Sequence, residues 1–156
     1  MTLTTDGLLS ELEAALGPGG VRRGADIAQR NLADVSGLAP VRPAALILPR
    51  SVDEVCAAVG ICHRHRRPLV VQGGMTGAAA GAHPQEGEIA LSLERLSGIE
   101  EIDVHSATMT VLAGTPLSVV QKAAAEAGFS CGIDLGARDS ATMGGIVSTN
   151  AGGNQV

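Results

Sequence analysis

Aromatic residues are almost missing: the 156-residue chain has no Trp, no Tyr and one Phe, Phe129. Without stacking platforms, a groove for single-stranded nucleic acid is excluded. Basic charge is also short, because ten arginines and a single lysine, Lys122, face 16 acidic residues for a formal net charge of −5. Nucleic-acid scaffolds need the opposite balance, so no nucleic-acid partner is expected. Cysteine is sparse and odd in number: Cys56, Cys62 and Cys131 show no CxxC spacing. This argues against a disulfide framework and a zinc site, and fits inert thiols in a reducing cytoplasm. The N-terminus, MTLTTDGLLSELEAAL, lacks an early positive charge and mixes acids with leucines. It reads as neither a signal peptide nor a membrane span, and a soluble cytoplasmic protein is expected.

Apolar residues make up 45% of the chain, enough for the core of one ordinary domain. Glycine is in excess, 21 residues or about 13% against a usual 7% or so. Much of that excess falls in two clusters, and function is sought there.

Leu8, Leu9, Leu12 and Leu16 recur at helical spacing over 7–16, and Gly17-Pro18-Gly19-Gly20 stops the pattern. Residues 21–43 show no clear period and read as an irregular leader. The run 44–48 reads as a buried strand closed by Pro49. Ser51 and Glu54 then form a capping box for a helix over 52–66, with Val52, Val55, Cys56, Val59 and Cys62 on one face. His63 and His65 lie two apart on that helix and point to different faces, a poor arrangement for metal. Leu69-Val70-Val71 is a second apolar strand, so strand, helix and strand predict a right-handed βαβ unit near the N-terminus. Further strands are expected over 89–93, 99–104 and 107–113, together forming a small mixed sheet. Thr115 as N-cap and Pro116 at the first helical position predict a second helix, stopped by Gly128.

The first glycine cluster, 73–82, follows a strand directly, where ligands of such units bind. Small residues there let backbone N–H groups turn together toward an anion such as a pyrophosphate. A tight turn against neighbouring backbone is the equally open alternative. No Gly-Lys-Ser/Thr is present and the spacing is not G-x-G-x-x-G, so neither usual phosphate signature applies. The second cluster, 132–153, is rich in hydroxyls and poor in bulky side chains. Two such nests suit a long ligand with more than one polar stretch.

PLVVQGGMTGAAAGAHP together with GIDLGARDSATMGGIVSTNAGG resembles the paired FAD-binding motifs of the vanillyl-alcohol oxidase/PCMH flavoproteins. Within that family they are most similar to the branch of D-2-hydroxyacid dehydrogenases, which includes D-lactate, glycolate-oxidase-type and D-2-hydroxyglutarate dehydrogenases. The resemblance covers about 34–156, leaving 1–33 as an N-terminal helix and leader. It implies an α+β PCMH-type FAD-binding domain, incomplete at its C-terminal end and lacking a substrate domain. It also implies that a 2-hydroxyacid is oxidised by hydride transfer to flavin N5, with the electron acceptor unspecified. A partner chain completing the site is the alternative.

By the same resemblance, Gly73, Gly74, Met75, Thr76 and Gly77 wrap the FAD pyrophosphate, continued by Gly81 and Ala82. Gly136, Ser140 and Thr142 meet the cofactor from the other side, with Gly144 and Gly145 permitting close approach. Thr149, Asn150, Ala151 and Gly152 lie along the ribityl-flavin portion. The branch commonly has Asn where Met75 stands, a second Gly where Ala80 or Ala82 stands, and a small residue where Asp139 stands. That carboxylate must face away or pair with Arg138. Members that tether flavin often use His or Cys, which the early loop lacks, so non-covalent FAD is expected; His83, beside Pro84, is a lesser tether candidate. His83 and His105 are conceivable catalytic bases, each more simply a surface or turn histidine, and the base remains unassigned.

Overall fold

The computed structural model describes residues 5–153. Helix α1 (Thr5–Leu16) buries Leu8, Leu9, Leu12 and Leu16, the four leucines placed at helical spacing. A two-residue strand, β1 (Val21–Arg22), pairs antiparallel with β2 (Ala45–Ile47). Helix α2 (Val52–Arg64) starts where expected, with the Ser51 hydroxyl accepting from Glu54 N–H. The returning half of the capping box differs: Glu54 accepts from the N–H of Arg50, one residue before the cap. The helix stops two residues earlier than predicted, at Arg64, and Arg66 turns left-handed at φ 50°.

Strands β3 (Leu69–Gln72) and β4 (Ile89–Ser92) complete a four-stranded sheet of order β1-β2-β4-β3. Both β2 and β3 run parallel to β4, so β2 and β3 are not neighbours as a simple βαβ unit would have them. The chain leaving β3 returns one more parallel strand into the gap. Because β4 is central, all four of its residues are buried.

Alternation along β2 feeds two apolar layers. Ala45 and Ile47 join α1, α2, Ile89 and Leu91 on one face, while Leu46 and Leu48 pack with Ala90 against Ile27 and Leu32 on the other. The segment read as an irregular leader therefore covers a sheet face. Short 3-10 turns at Gly24–Asp26 and Gln29–Asn31 shape it.

Strands β5 (Ile99–Asp103) and β6 (Thr108–Val111) form a separate antiparallel hairpin rather than joining one mixed sheet. Helix α3 (Leu117–Glu126) begins one residue late, with Pro116 as its N-cap. The Thr115 hydroxyl does not cap it, being turned to Leu112 O at 2.6 Å and to Gly98 N at 2.9 Å. A further helix, α4 (Met143–Thr149), was not expected, since two glycines lower its intrinsic propensity. Long-range bonds hold its start: Met143 N donates to Thr115 O and Gly144 N to Ala113 O. Among the described residues, no helix is long and apolar enough to cross a membrane.

Candidate cofactor site

The loop after β3 and the segment around α4 meet each other. A Cβ on Gly74 would overlap the Ser140 carbonyl, and one on Gly73 would lie 2.5 Å from Thr142 Oγ1. These two glycines are needed so that one cluster can lie against the other. Gly144 likewise admits Ala113, whose Cβ would be 2.8 Å away from an added methyl.

Beside this contact the clusters part around a cavity of about 1200 Å³. Common small-molecule sites measure about 300–1,000 Å³, so there is room for an extended ligand. Gly73, Gly74, Met75, Thr76, Gly77, Gly81 and Ala82 line it from the loop. Gly136, Thr142, Gly144, Gly145, Thr149 and Ala151 line it from the facing wall. Three of the expected positions do not line it. Ser140 gives its carbonyl to the contact with Gly74, Asn150 takes a left-handed conformation at the end of α4, and Gly152 O accepts from Asp134 N. The cavity also takes in Leu69, Val70, Leu135, Ala137 and Ile146, which the motif reading passed over because they look like ordinary core residues.

Glycine at positions 77, 81 and 136 has a different cause. A Cβ there would meet nothing within 4 Å, and none of the three has positive φ. Neither folding nor packing demands glycine, but a ligand pressed against the main chain would. Left-handed backbone occurs instead at Met75 (φ 56°) and Ala80 (φ 60°). Reversals of this kind point successive amides to one side. Among the described residues, no chain acceptor takes the N–H groups from Met75 to Gly81.

Charge in the cavity is low. Among the described residues no Lys or Arg lines it, and its only ionisable side chains are His83 and Glu88. Glu88 accepts from Gln85 N through Oε2 at 2.9 Å. Arg138 pairs with Asp134 at 3.1 Å rather than with Asp139, which is exposed and off the lining. His105 lies in the β5–β6 turn, its N–H donating to Asp103, away from the cavity.

At the exit of the loop sits a buried polar knot. Gln72, fully buried, donates to Asn31 O and Ala82 O and accepts from Asn31 Nδ2. It thereby ties the entry and exit of the loop to the covering segment. Next to it, His83 Nδ1 stands 4.0 Å from Asp34 Oδ1, both side chains almost wholly buried. Burial alone would raise the Asp34 pKa, but Ser36 and the charge of His83 outweigh it and hold the carboxyl below its ordinary value. Sequence patterns offered no signal for this pair, since 49 residues separate its members.

The sequence profile of the FAD binding domain matches residues 43–156. D-2-hydroxyglutarate dehydrogenase of Xanthomonas citri pv. viticola is 43% identical over 114 residues, 73% of this chain and 24% of that protein. The enzyme of the same name from Stutzerimonas stutzeri is 30% identical over 154 residues, 99% of this chain and 33% of the relative. Glycolate oxidase subunit GlcD of Bacillus subtilis is 33% identical over 111 residues, 71% and 24% of the two chains. This chain thus spans a third or less of these curated relatives. In fold it is similar to alkyldihydroxyacetonephosphate synthase, with a TM-score of 0.84 at 19% identity over 96% of this chain and 30% of that one. Substrate-bound p-cresol methylhydroxylase gives 0.74 at 21% identity, over 93% and 28%. With its α+β PCMH-type architecture and a profile match over most of its length, the chain belongs to the FAD binding domain family.

Proposed function

We propose that the cavity between the two glycine clusters holds FAD non-covalently, and that the chain forms the FAD-binding part of an enzyme oxidising a D-2-hydroxyacid. One observation carries the reading: amides from Met75 to Gly81 that find no acceptor among the described residues share a cavity with glycines at 77, 81 and 136 that nothing among those residues requires. Such a surface fits a diphosphate, which seeks N–H donors and tolerates no Cβ between itself and the backbone.

In this reading Gly73, Gly74, Met75, Thr76, Gly77, Gly81 and Ala82 bind and orient the diphosphate. Gly136, Thr142, Gly145, Thr149 and Ala151 form the opposite wall, and the apolar side chains of Leu135 and Ile146 exclude water from it. Cysteine is absent from the lining among the described residues and the His83 side chain is almost wholly buried, which favours non-covalent retention. Bound FAD supplies a hydride acceptor at flavin N5, while the protein contributes position and electrostatics. The names of the relatives support the hydroxyacid class.

A second reading, in which a partner polypeptide completes the site, draws on the exposure of Gly77, Gly81, Gly136 and Thr149 along the cavity. Isothermal titration with FAD tests both, using this segment alone, the segment continued into the remainder of its natural chain, and the segment mixed with a separate partner. Saturable binding that requires the continuous chain supports the first reading, and restoration by a separate chain supports the second. Absence of FAD binding in every form overturns both.

A further inference from the structure

A diphosphate brings two negative charges into a cavity whose described lining holds no Lys or Arg. Amide dipoles answer part of that charge. The remaining side chain able to become cationic is His83, which lines the cavity and has its Nδ1 toward Asp34. Asp34 is a buried carboxylate with little help: Oδ1 accepts from Ser36 N at 3.0 Å, and Oδ2 has no donor in hydrogen-bonding geometry among the described residues. An ion so placed favours a nearby counter-charge. His83 Nδ1 is itself buried without a hydrogen-bond partner among the described residues, 4.0 Å from Asp34 Oδ1.

We infer that His83, facing Asp34, becomes the side-chain cation of this anion site when the site is filled, and that a diphosphate ligand enters together with a proton. The inference rests on the FAD reading and specifies how the site balances the ligand's charge. His83 faces Asp34 of the covering segment, shares the cavity wall with Glu88, and follows Ala82, whose carbonyl accepts from the uncharged Gln72. Both carboxylates favour the imidazolium. Among the described lining residues, imidazole is the one kind of side chain that can change charge near neutral pH, since carboxylates titrate near about 4. An anion in the cavity favours the imidazolium, so binding takes up a proton over the pH window in which the empty site is neutral and the filled site is charged. Affinity then falls with rising pH, by up to about tenfold per unit within that window.

The experiment is calorimetric titration of the flavin-stripped full-length chain with FAD across pH 6–9, in buffers of unequal ionisation enthalpy. Expected is a maximum uptake approaching one proton in the wild type, abolished by His83→Gln together with the pH dependence of affinity. Asp34→Asn keeps the imidazole and shifts the uptake maximum to lower pH. Uptake that is absent in the wild type, or equal in wild type and His83→Gln, overturns the inference while FAD binding itself persists. Wild-type-like uptake in Asp34→Asn overturns the role of that carboxylate, and serves as the second measurement if His83→Gln does not fold. Failure of the wild type to bind FAD at all instead removes the FAD reading on which the inference stands.

Discussion

Two kinds of glycine share the loop after β3, and their substitutions should behave oppositely. Gly74 lies on the Ser140 carbonyl, backbone against backbone, so Gly74→Ala forces the two clusters apart. We expect a loss of about 3 kcal/mol in urea unfolding, at the upper end for overpacking. Gly77 borders open cavity, so Gly77→Val should leave the unfolding midpoint nearly unchanged while the full-length protein loses its bound flavin colour. Left-handed geometry falls on residues that dislike it. Met75 and Ala80 stand at φ 56° and 60°, where Asn or Gly is more comfortable. Met75→Asn and Ala80→Gly should each stabilise by about 1 kcal/mol in the same assay. Two departures from the family motif, Met75 and Ala80, thereby acquire a physical meaning: they sit where backbone strain is stored.

At the scale of elements, α1 is held to α2 by polar bonds as well as leucines. Glu11 accepts from Arg64 at 2.9 Å and contacts His65 Nε2 at 2.8 Å. His65 first, then Arg64, hold the Glu11 carboxyl below its ordinary value. A folded-state value below the unfolded one stabilises fully above the ordinary glutamate range, and that contribution disappears as pH falls through the folded value. Protection of the α1 amides, measured as exchange relative to the intrinsic rate at each pH, should therefore fall on acidification below about pH 4, and Glu11→Gln should flatten that response. Helices α1 and α2 were legible because their periodicity and stop signals are local. Helix α4 was not, since its Met143 and Gly144 amides are satisfied by Thr115 and Ala113, about thirty residues away.

Across the whole molecule, the sheet sends its parallel strands toward one end, where the β3 loop and the α4 wall enclose the cavity. A site built from amides, with no Lys or Arg in the described lining, should bind FAD with little sensitivity to ionic strength. Raising salt from about 0.05 M to about 0.5 M should weaken affinity less than about threefold, because fixed dipoles at close range are poorly screened. Fluorescence titration checks this, and a steep salt dependence would count against a site built from amides.

The amino-acid sequence by itself determined where α1, α2 and the strands from β2 onward lie, and that two side-chain-poor clusters follow in the order typical of the family. Periodicity, caps and glycine content act over a few residues and can be read from them. Tertiary structure alone decided that β4 enters between β2 and β3, that the leader covers a sheet face, and that Gly74 and Gly144 serve packing while Gly77 and Gly136 face open space. It also brought His83 to Asp34. These outcomes depend on strand register and on contacts between distant segments, where burial and the demand for hydrogen-bond partners choose among arrangements that local propensity leaves equal.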